Sequence, residues 1–118
     1  MKIKRKLKDM TNQIVTKDFL KATSDIIAEN TSLNYSIIAI RGIKAQLEKE
    51  FKFLRCISIM EHSIEVSEDI NSVSNDKIKE FFSRAINSIG PSYLKMLLAQ
   101  RLPPNELAYL KNLGLGFG

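Results

Sequence analysis

Tryptophan is absent from this chain of 118 residues, and cysteine, histidine and proline occur one, one and three times. A single cysteine, Cys56, excludes an internal disulfide and fits a reducing compartment. With one histidine there is no His-rich metal set. On a shared helix His62 and Cys56, six residues apart, point about 120° away from each other, so they form no nucleophile–base dyad. Glu61 and Glu65 share a helical face, but His62 lies about 100° away from it, which leaves no three-ligand cluster. No run approaches the ~18 apolar residues of a membrane span, and no apolar segment follows the basic start as in a secretory leader. The expectation is a soluble, cytoplasmic, non-enzymatic protein with no cofactor, no metal and no stable membrane insertion.

Glycine is also scarce, with five in all, and Gly114, Gly116 and Gly118 alternate in the tail GLGFG. A phosphate loop needs a strand before it and a helix N-terminus after it, and neither is available in this tail. Leu113, Leu115 and Phe117 either dock on a partner or fold back over the core.

What the chain does have is charge of one sign at one end. Lys2, Lys4, Arg5, Lys6 and Lys8 carry a charge equal to the formal net charge of +5, while residues 9–118 hold 13 basic and 13 acidic side chains. The pI near 9.4 therefore describes an arm more than a body. Residues 1–9 are assigned as a basic N-terminal arm and residues 10–118 as one domain. Met10 is an alternative start, in which case the arm is a solvated extension.

The body is patterned for helices. Thr16 is a candidate cap for a first helix that ends near Asn30, with Phe19, Leu20, Ile26 and Ile27 on one side. Ser32 opens the longest periodic stretch, in which Leu33, Ile37, Ile40, Ile43, Leu47, Phe51, Leu54 and Ile57 follow at spacings of three and four. This stripe predicts one long central helix over residues 32–60, about 40 Å in length. The β-branched group Ile37, Ile38 and Ile40 leaves a short strand there as the alternative. The helix is expected to fray by Ser67, with a loop through Asn71.

Stronger punctuation follows. Ser74 is a cap candidate with Val73 and Ile78 as its staple, Gly90 is a stop, Pro91 a start, Pro103–Pro104 a break and Gly114 a final stop. The fold expected is an all-α bundle or orthogonal array of four to five helices.

Function is sought in the charge pattern. Arg41, Lys44, Lys52 and Arg55 share one face of the expected long helix. Residues 56–76 carry five acids and no base, while residues 77–118 are net +4. An arm of five cations suits phosphate contacts, and the Arg41–Arg55 face extends it, so nucleic acid is the first partner considered. The alternative is a protein–protein adaptor, chaperone or immunity-type protein using the acidic stretch or the apolar C-terminus. A homodimer along the long helix, through Phe51, Leu54 and Ile57, with Leu115 and Phe117 as further contacts, is the protein partner considered.

Overall fold

The computed structural model describes residues 10–61 and 63–115. The lysine arm, His62 and Phe117, with the readings attached to them, lie outside the described residues. Among those described, five α-helices and one two-stranded hairpin form the fold: α1 (Asn12–Asn30), α2 (Leu33–Leu47), β1 (Ile57–Ile59), β2 (Ile64–Val66), α3 (Asn75–Ile89), α4 (Pro91–Arg101) and α5 (Pro104–Leu113). Two 3-10 turns, Lys52–Cys56 and Glu68–Ser72, flank the hairpin. The expected array of four to five helices holds, and the short hairpin is an addition to the all-α expectation.

Helix α1 begins a full turn before Thr16. The cap is Thr11, in extended conformation, whose hydroxyl accepts from the Ile14 N–H. Long-range bonds hold the early start. The Asn12 amide donates to the Val73 carbonyl at 3.2 Å, the Gln13 side chain donates to the Val66 carbonyl at 2.8 Å, and the Gln13 N–H donates to Asn71 Oδ1 at 2.8 Å. Thr16 is buried inside the helix. Helix α2 starts on the expected cap, with the Ser32 hydroxyl accepting from the Tyr35 N–H at 3.1 Å. Residues 37–40 are helical, so the strand alternative fails there.

The long central helix does not exist. It stops at Leu47, residues 48–50 turn, and the Phe51 N–H closes on the Leu47 carbonyl at 2.9 Å. The first 3-10 turn then drives Leu54 to 0% exposure and β1 brings Ile57 to 2%. A straight rod would have held these side chains on a stripe that short neighbouring helices cannot cover; reversal places them in a shared core. Ile57, Ser58 and Ile59 face Val66, Glu65 and Ile64 in antiparallel register, with the isoleucines and valine buried and Ser58 and Glu65 outside. That period of two is a strand signal overlaid on the helical spacing. A hairpin this short is marginal alone and depends on the α1 face against which β2 packs.

The proposed dimer seam is therefore corrected. Phe51, Leu54 and Ile57 are buried in the chain's own core, and Leu115 is buried by the tail folding back, at 5% exposure. Around them Phe19 stacks on Phe82 with ring centroids 4.4 Å apart, and Phe81 meets Phe51 and Phe53 edge-on at 6.4 and 5.9 Å.

The C-terminal corners follow their punctuation. Ser74 stands at the N-cap of α3, although its side chain makes no cap bond. Gly90, at φ 146°, ends α3 and starts α4. Gly114, at φ 107°, lets the Leu115 N–H reach back to the Leu110 carbonyl at 3.0 Å. A Cβ at Gly114 would also stand 2.8 Å from Lys79 Nζ.

Two stability outcomes follow from this packing. Leu54→Ala should cost about 2–5 kcal/mol in chemical denaturation, and Leu54→Glu should abolish folding rather than separate two copies. A soluble, folded Leu54→Glu monomer would contradict the assignment of Leu54 to the core. Gly114→Ala should cost about 1–2 kcal/mol, because alanine resists the left-handed conformation; an unchanged melting temperature would contradict it.

Candidate nucleic-acid interface

Reversal of the chain after Leu47 splits the expected basic face in two. Arg41 and Lys44 remain on α2, and both are engaged internally. The Arg41 guanidinium donates through Nε to the Ile59 carbonyl at 2.9 Å, tying α2 to β1. Lys44 pairs with Glu48 at 3.3 Å, one turn along, with 24% of its side chain exposed. Lys44 is thereby matched by an acid, whereas Arg41 stays exposed and keeps its charge while its Nε is spent on the carbonyl.

Lys52 and Arg55 instead occupy the first 3-10 turn. Both are exposed and neither has an ion-pair partner among the described residues. The turn itself is fixed by Leu54, fully buried between them. The backbone is thus held while both cationic side chains face water.

Lys52 lines a surface cleft of about 560 Å³ with Phe53, Ser72, Ser74, Lys77 and Glu50. Lys77, in the first turns of α3, is a cation that the sequence pattern did not single out, and it has no acidic partner among the described residues. Glu50 is the acid of the cleft, and Arg84 occupies it with two bonds of 2.6 and 2.9 Å. This arginine holds the Glu50 carboxyl below the usual carboxylate range through its hydrogen bonds, against a smaller opposing effect of burial. The same guanidinium lies 5.9 Å from the centre of the Phe51 ring, so it is anchored from two sides. With Glu50 already matched, Lys52 and Lys77 set the sign of the cleft.

The acidic stretch packs elsewhere. Glu65 pairs with Lys17 of α1 at 3.7 Å, while the C-terminal cations Arg84 and Arg101 bond Glu50 and Glu29, outside the stretch.

Other chemistry is sparse. Cys56 is partly buried, and burial, assisted by the Asp69 charge, pushes its thiol up, away from the reactive thiolate. Among the described residues no three His, Cys, Asp or Glu side chains converge as metal ligands, and no helix is long and apolar enough to cross a membrane. One further feature was invisible in the sequence: Tyr35 and Tyr93, both about half exposed, line a single groove of about 380 Å³ with Ile27, Ile43 and Ile89. Its edge is set by the Asn30 amide, which donates to the Tyr93 hydroxyl at 2.8 Å. Comparison with protein-family models, curated proteins and solved structures returns no match for this chain.

Proposed function

We propose that this chain is a small, non-enzymatic, cytoplasmic accessory or regulatory protein that contacts nucleic-acid phosphates. Lys2, Lys4, Arg5, Lys6 and Lys8 supply the bulk of the charge, and Lys52, Arg55 and Lys77 supply the contacts on the folded body. The observation that carries this reading is the pair of cations on the Lys52–Cys56 turn, exposed and without an acidic partner among the described residues. Exposed cations on a turn held by a buried leucine need no rearrangement of the backbone to meet a phosphate, and each contact releases condensed counterions. Arg41 and Lys44, expected in the same role, are secondary because they already hold Ile59 and Glu48.

A second reading rests on the aromatic groove. Tyr35 and Tyr93, with their apolar neighbours, suit an adaptor that seats a protein partner, because tyrosines offer large contact area with few rotatable bonds. In that case the lysine arm is incidental.

Titration of duplex DNA and RNA at two salt concentrations separates the readings. Full-length protein should bind with a salt slope that deletion of residues 1–9 reduces by about 4.5, near 0.9 per phosphate contact. The double variant Lys52→Ala and Arg55→Ala should remove a further unit or two while the melting temperature stays within a few degrees. Equal affinity and slope for the full-length, deleted and doubly substituted proteins would overturn the nucleic-acid reading and leave the groove as the functional surface.

A further inference from the structure

Glu106 is the acid whose placement the fold explains least. It lies in the first turn of α5, just after Pro103–Pro104, and is only 3% exposed. Its Oε1 atom is enclosed with no hydrogen-bond partner. An ionised carboxylate so placed would carry a large desolvation cost. Opposite stands Asp18 of α1, whose carboxyl acts on that of Glu106. Both line a shallow cleft of about 370 Å³ whose other walls include Lys21, Asp25 and Arg101.

A carboxyl group this enclosed, without a partner for Oε1 and with a second carboxyl lining the same cleft, is held at least cost when it keeps a proton. We propose that this proton on Glu106 is a latch: while present it lets the first turn of α5 stay docked on α1, and its loss leaves an enclosed negative charge beside Asp18 and loosens α5. Burial, reinforced by the nearby Asp18 carboxyl, pushes Glu106 up to about 8 from an ordinary value of 4.5.

The charged groups around the pair do not replace the proton. On α1, Lys21 is exposed to solvent and Asp25 adds a further acid to the cleft. On α4, Arg101 is committed to Glu29, whose carboxyl it holds low chiefly through the hydrogen bond. From α3, Lys79 lies over Gly114 at the opposite end of α5. At Asn12, the Tyr109 hydroxyl donates to the side-chain oxygen, a neutral tie that survives the pH change. Leu110 and Leu115, buried at 0% and 5%, likewise keep the far half of α5 docked. The hinge of the movement is therefore the Leu102–Pro103 corner, and the part released is the first turn.

The sign of the pH effect is fixed. The latch contributes fully below about 4.5, where folded and unfolded chains both hold the proton. Between 4.5 and about 8 the unfolded chain has released a proton that the folded chain keeps, so stability falls as pH rises. Above about 8 the folded chain releases it too, and α5 loosens.

Native-state hydrogen exchange on the full chain at pH 6 and pH 9, corrected for intrinsic rates, reads the movement. Amides of residues 106–109 should lose at least tenfold in protection between the two pH values, whereas those of α3 should change far less. Glu106→Gln, which keeps the shape and cannot ionise, should remove that difference and flatten the pH dependence of the melting temperature. Carboxyl carbon NMR on the unaltered protein is the independent readout, and Glu106 should titrate well above its ordinary range. Titration near 4.5, or parallel pH profiles for the unaltered and Glu106→Gln proteins, would overturn the latch.

Discussion

The burial of Leu54 is the constraint on which the other features depend. An apolar stripe that continued as a rod from α2 would have stood clear of the short helices around it. Closing Phe51 back onto Leu47 turns the stripe into the centre of the molecule, with Leu54 and Ile57 enclosed and Phe51 set edge-on to Phe81. The same reversal leaves Lys52 and Arg55 facing solvent on either side of a buried side chain. It also starts β1, whose partner strand receives the Gln13 side chain and so ties the hairpin to the first turn of α1. One hydrophobic contact thus sets the chain path, the hairpin and the display of charge.

Where the sequence punctuates itself, the fold was legible. Gly90, Pro91, Pro104 and Gly114 act through backbone conformation within a few residues, and they mark the end of α3, the start of α4 and both ends of α5. The middle of the chain was not legible in the same way. Ile57 belongs both to a spacing of three and four with Leu54 and to an alternation with Ile59, and only the tertiary context chooses between the two periods. The start of α1 was hidden for a related reason. Asn12 and Gln13 look like loop residues until their partners at Val73 and Val66 arrive from the other half of the chain.

Helical spacing groups Lys52 and Arg55 with Arg41 and Lys44 on one face, but a 3-10 turn presents the first two and separates them from the others. Lys77 could be placed beside Lys52 only once α3 was known to begin next to that turn. The Asp18 and Glu106 pair, like the Tyr35 and Tyr93 groove, joins residues distant in sequence. No local spacing encodes either.

The central claim is that the reversed segment after Leu47 presents a cationic surface for phosphate. Its most direct test is a backbone NMR titration of full-length protein with a short oligonucleotide. The account predicts that shifted amides gather at residues 2–8, at Lys52 to Arg55 and at Lys77, with Tyr35 and Tyr93 unmoved. Shifts confined to the Tyr35 and Tyr93 groove, or none at saturating oligonucleotide, would contradict it.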